Sequence, residues 1–128
     1  MPIIIDTSIL IDVENKKEYT IKKLERCLDE DKEVAVSSPT VTEFYYGGME
    51  SEKKIKSRVG ALRKYKLLNT NFKSSLILAE IKKQLESEGK AIPIFDLIIA
   101  SIALANNALL VSKDVHFEEI RRLKVAII

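Results

Sequence analysis

Four acidic residues stand where acids are not expected. Asp6 closes the apolar run Ile3-Ile4-Ile5. Glu43 sits between Val41 and Phe44, just after the helix-start signal Ser37-Ser38-Pro39. Asp96 opens the most hydrophobic helical stretch of the chain, and Asp114 follows the apolar run 108–111 by three residues. The other acids fall mostly on polar helical faces and need no special account. Carboxylates gathered in one place repel and raise one another's pKa. A hard divalent cation relieves that repulsion. Mg²⁺ takes oxygen ligands and keeps several waters, so a few carboxylates suffice to hold it. With one cysteine, Cys27, and one histidine, His116, sites built from several thiolates or imidazoles are excluded, so zinc and iron are poor candidates. Each acid also has a purely structural reading: Asp6 and Asp96 as helix caps, Asp114 as a turn or cap residue. Glu43 is the hardest to explain that way, because its apolar neighbours imply partial burial. Thr7, Ser8 and Ser112 lie beside the acids and are suited either to orienting them or to capping helices and turns. Lys113 is a candidate phosphate contact or a plain surface lysine. His116, next to Phe117, reads as a ring packed at the start of the last helix.

These residues meet only if the elements between them bring them together. Ile3–Ile5 reads as a strand buried on both faces, hence central and parallel. Thr7-Ser8 begins a short helix through Val13. Tyr19, Ile21, Leu24 and Leu28 recur at helical spacing, predicting an amphipathic helix over 18–30 with Cys27 as a packing thiol. Val34–Val36 is a second strand. Ser38 caps and Pro39 begins a helix that Gly47-Gly48 stops. A polar helix follows over 50–64, then a short strand over 66–68. Thr70 opens a helix that runs to Gly89, and an almost wholly apolar helix spans 96–105, with Asn106-Asn107 as its left-handed cap. A strand over 108–111, a helix over 115–123 and a strand over 125–128 complete the chain. Alternating short apolar strands and helices imply an α/β fold in one domain, residues 1–128: three α/β/α layers around a central, mainly parallel sheet. In such a sheet ligands bind at the carboxyl ends of the strands. Asp6 and Asp114 belong to that edge, and Glu43 begins near it.

The bulk numbers narrow the function. The chain has 128 residues, 46% hydrophobic and 31% charged, an ordinary globular balance. Its formal charge is only +2, from 21 basic and 19 acidic residues, which argues against a uniformly basic surface. The N-terminus lacks a signal-peptide pattern, and the longest apolar run, 97–105, is far short of the roughly 20 residues of a membrane span. A soluble, cytoplasmic protein is expected.

Taken in order, four segments resemble the PIN-domain family, and within it the VapC-type toxins. They are Ile4-Ile5-Asp6-Thr7-Ser8; Ser38-Pro39-Thr40-Val41-Thr42-Glu43-Phe44 with Gly47; Asp96-Leu97-Ile98-Ile99-Ala100-Ser101; and Leu110-Val111-Ser112-Lys113-Asp114-Val115-His116-Phe117. Each alone is weak. Together, and spanning residues 4 to 117, they are specific. The resemblance implies a Mg²⁺- or Mn²⁺-dependent endoribonuclease, with the catalytic and metal-binding acids at Asp6, Glu43, Asp96 and Asp114. Asp6 and Asp96 are the expected innermost ligands of one or two ions that activate a water for attack on phosphorus. It further implies a homodimer, and an antitoxin partner whose tail blocks the acidic pocket. Three departures from the family pattern stand out: Ser112 for a frequent threonine, Asn107 for a common glycine, and Lys113 beside the fourth acid, where an ammonium opposes a metal. Two related readings remain, an RNA-processing nuclease with no antitoxin and a PIN module that binds without cutting. A response-regulator-like receiver fits poorly, because Asp6 stands alone and Asn69, not an aspartate, follows Leu67-Leu68.

The near-zero charge hides a local excess. From Glu50 to Lys66 seven basic residues face two acids. Lys53, Lys54, Lys56 and Arg58 are candidate RNA contacts there, with Lys113 elsewhere. The alternative is a solvated helix.

Overall fold

The computed structural model describes residues 1–28 and 33–128. The chain runs β1 (Ile3–Ile5), α1 (Thr7–Glu14), α2 (Glu18–Cys27), β2 (Val34–Ser37), α3 (Ser38–Gly47), α4 (Glu52–Leu62), β3 (Lys66–Leu68), α5 (Phe72–Ser87), α6 (Ile94–Ala105), β4 (Leu109–Ser112), a 3-10 turn (Val115–Glu119) and β5 (Val125–Ile127). The expected end of the second helix at Glu30 lies outside the described residues.

The five strands are ordered β3-β2-β1-β4-β5, and every pairing is parallel. β1 is the central strand, as its all-apolar sequence requires. Its three isoleucines are fully buried, each worth about 1.5–3 kcal/mol relative to exposure. Alternation along the strands divides the core in two. Ile4, Ala35 and Leu110 face the layer of α5 and α6, packing with Ile81, Ile99 and Ile102. Ile3, Ile5, Val36 and Val111 face the opposite layer, with Ile9, Leu10, Leu24 and Phe44. Cys27 packs half-buried against this second cluster.

From β1 the chain moves outward through β2 to β3, then returns to the other side of β1 for β4 and β5. The strand order therefore reverses between β1 and β4, which opens a crevice at their carboxyl ends. Several element ends differ from the sequence reading. Ser37 rather than Ser38 occupies the N-cap of α3, placing Pro39 second in the helix. Asn71 and Ser74 form a reciprocal capping box that starts α5 two residues after Thr70. The helix expected over 115–123 is only the 3-10 turn, because Ile120 is already extended. Asn107 adopts the left-handed conformation, φ 49°, that lets the chain turn from α6 into β4. Among the described residues no helix is long and apolar enough to cross a membrane.

Candidate active site

Asp6 leaves β1 at the crevice and is 6% exposed. Its Oδ1 accepts from Ile9 N at 3.3 Å, so it does cap α1, and also from Ser8 Oγ at 2.6 Å. Its Oδ2 accepts from the Ser112 hydroxyl at the end of β4. Both hydroxyls are held from behind. Ser8 Oγ accepts from Lys113 N at 3.2 Å, and Ser112 Oγ from Asp114 N at 2.9 Å. The loop after β4 thus fixes both oxygens of Asp6 through two serines. Burial pushes the Asp6 carboxyl above its ordinary pKa, against the hydrogen bonds from Ser112, Ser8 and Ile9, which favour the charged form.

Glu43 lies in the middle of α3, half-buried, and accepts from Thr7 Oγ1 at 3.0 Å. Thr7, Ser8 and Ser112 therefore each donate to one of the acids. The α3 helix touches α6 of the opposite layer near the crevice. Asp96 lies in the first turn of α6, but the helix begins at Ile94, two residues before the predicted start, and Pro93 occupies the cap position. Asp96 therefore does not cap its helix. The positive end of α6 favours a carboxylate there by roughly 0.3–1 kcal/mol. Burial and the charges of Asp114, Glu43 and Asp6 outweigh that and push Asp96 up to about 6, with His116 acting in the other direction. The structure thus brings Asp6, Glu43 and Asp114 within electrostatic reach of Asp96.

Asp114 caps the 3-10 turn, its Oδ1 accepting from His116 N at 2.9 Å. His116 is a correction. Its ring is exposed rather than packed, with Nδ1 3.1 Å from Asp114 Oδ1, and it is Phe117 that fills the core.

The donor set suits a hard cation. All four groups supply carboxylate oxygens, and Asp96 carries the strain of repulsion and burial that a cation would relieve. Among the described residues no three acids, histidines or cysteines converge on one point in ligand geometry. The carboxylates share a cleft without forming a finished cage.

Arg58 is a second correction. It is 5% exposed and turns inward. Its Nε and Nη2 each donate to the Glu14 carboxylate at 2.9 Å, its Nη1 donates to Phe44 O at 2.6 Å, and its guanidinium lies 4.2 Å from the Phe44 ring centre. It ties α4 to α1 and α3 and offers nothing to a ligand at the surface. Lys53 and Lys56 are exposed on α4, and Lys54 pairs with Glu50 at 3.1 Å. Lys113 donates to Asp12 Oδ2 at 2.9 Å, across the sheet edge from the acids. Asp12 was not singled out from the sequence. Its only signal was an acid set between the apolar Ile11 and Val13 of α1.

A family model described as the PIN domain matches residues 3–123. The chain belongs to the PIN-domain family. Among PIN relatives, the protein named Ribonuclease VapC2 of Rickettsia felis is 29% identical over 122 residues, 93% of this chain and 90% of that one. Ribonuclease VapC3 of Methanocaldococcus jannaschii is 35% identical over 102 residues, 80% of this chain and 98% of that one. The crystal structure of VapBC2 from Rickettsia felis, bound to a DNA fragment from its promoter, contains a chain that superposes with a TM-score of 0.88 at 29% identity, covering 100% of this chain and 99% of that one.

Proposed function

We propose that this PIN domain is an endoribonuclease, the toxin of a VapBC-type toxin–antitoxin pair. The observation that carries the reading is the near-full-length likeness to proteins named as VapC ribonucleases, joined to an Asp96 carboxyl that feels the charges of Asp114, Glu43 and Asp6. Asp6, Glu43, Asp96 and Asp114 would hold one or two Mg²⁺ or Mn²⁺ ions. Such an ion, when bound, makes a water more acidic and neutralises charge building on the phosphate. The protein's own groups do the positioning. Ser8 and Ser112 fix the orientation of Asp6, and Thr7 that of Glu43. Asp96, pushed up to about 6 by burial and by Asp114, Glu43 and Asp6, gives up its proton below neutrality and is a charged oxygen donor at about pH 7. Lys53, Lys54 and Lys56 of α4 would meet the RNA backbone. A homodimer, an antitoxin as resident partner and action in the cytoplasm, where RNA targets are, complete the reading.

The test is hydrolysis of RNA by the purified protein with Mg²⁺, against a chelator control. Asp6→Asn and Asp96→Asn should each lose at least about a hundredfold in rate, the scale of removing an electrostatic group at a reaction centre. Cleavage by either variant at the unmodified rate would refute the assignment. Co-purification with a small partner protein from the native source checks the toxin–antitoxin half.

A further inference from the structure

Lys113 stands one residue from Asp114 and one from Ser112, whose hydroxyl binds Asp6. Its backbone N–H donates to Ser8, the other hydroxyl on Asp6. An ammonium on a flexible four-carbon stem at this position has two carboxylate destinations. One is Asp114, next in sequence and one of the four acids, and the other is Asp12. The structure shows it at Asp12, 2.9 Å away.

Asp12 is built to hold it. The carboxylate is 3% exposed, on the inner side of α1. Thr20 Oγ1 of α2 donates to its Oδ2 at 2.6 Å, and Lys17 Nζ lies 3.7 Å from its Oδ1. A buried carboxylate with an aligned hydroxyl and two cations nearby stays charged and makes a strong charge-assisted partner.

We propose that Asp12 is a positioning residue that keeps the Lys113 ammonium out of the carboxylate cleft, leaving the four acids available to a divalent cation. Without Asp12 the lysine turns to the densest negative charge within its reach, the cleft, and competes there with metal. This inference rests on the metal-binding reading proposed above.

The test is Mn²⁺ binding to the purified protein by titration calorimetry, with no RNA present. Asp12→Asn, which keeps an acceptor for Thr20, should weaken Mn²⁺ binding by about tenfold or more, the scale of losing a partner behind a metal site. Lys113→Met should bind Mn²⁺ at least as tightly as the unmodified protein. The double variant should recover the unmodified affinity, since no ammonium is left to enter the cleft. An unchanged Asp12→Asn variant, or a double variant as weak as Asp12→Asn alone, overturns the proposal. If Asp12→Asn does not fold by circular dichroism, Asp12→Ser and the double variant, in which both charges are gone, carry the same comparison. Absence of Mn²⁺ binding by the unmodified protein would instead sink the metal reading itself, so the two failures are distinguishable.

Discussion

Asp96 shows how a single residue records its surroundings. An unfolded aspartate has a pKa near 3.9. In the folded protein burial, Asp114, Glu43 and Asp6 push it up to about 6. Between those two values the native state holds a proton that the unfolded chain has released. This group's contribution to stability therefore falls as pH rises from about 4 to about 6, and it stays unfavourable above that. Asparagine cannot ionise. In chelator, Asp96→Asn should raise the melting temperature at about pH 7.5 and do so much less at about pH 4. Equal shifts at the two pH values would refute the account. Millimolar Mn²⁺ should stabilise the unmodified protein at about pH 7.5, because it binds only the folded cluster, and this gain should shrink below about pH 6 as Asp96 takes up its proton. A thermal melt across both pH values and both metal conditions measures all of it.

At the scale of elements, Gly47 and Gly48 do more than stop α3. A Cβ at Gly48 would lie 2.6 Å from Arg58 Cδ, and one at Gly47 2.9 Å from Arg58 Nη1. Neither glycine has a positive φ. Space, not backbone freedom, explains them: the buried guanidinium passes directly over the end of the helix. Gly48→Ala should cost about 1–3 kcal/mol in urea unfolding, the usual penalty of overpacking. In an Arg58→Ala background the same substitution should cost less, since every obstructing atom beyond Cβ is gone. The strands and most helices were legible in the sequence, because periodicity and caps are local: Ile3–Ile5 as a central strand, and α6 as an internal helix. The acids were legible as misfits against those patterns. Arg58 was not, because its partner Glu14 stands 44 residues away, and a run of basic residues looks the same whether or not one of them turns inward. Asp12 escaped for the same reason, with Lys113 101 residues distant. Composition and spacing register the neighbours along a chain and are blind to those across it.

For the molecule as a whole, the charge of +2 divides into an acidic crevice and a basic flank on α4, now reduced by Arg58 to lysines that reach solvent. An open cleft of about 310 Å³ between the end of α1 and the start of α4 is lined by Lys53 and Lys54. Changing Lys53, Lys54 and Lys56 to glutamine should weaken RNA binding and flatten its salt dependence, by about 0.7 in log–log slope for each phosphate no longer neutralised. Mn²⁺ affinity should stay the same. A slope unchanged in filter-binding titrations would return α4 to the role of a solvated helix. The strand order has a consequence for the birth of the protein. β1 is the first strand made, yet it sits in the middle of the sheet and pairs with β4, residues 109–112. Ser112 and Asp114 can reach Asp6 only after more than a hundred further residues have left the ribosome. Local segments form early, but the long-range parallel pairing comes last. On the function proposed above, a chain with this topology has no complete cleft until β4 has been made, a built-in delay in which a partner already present can be the first molecule to meet the finished cleft.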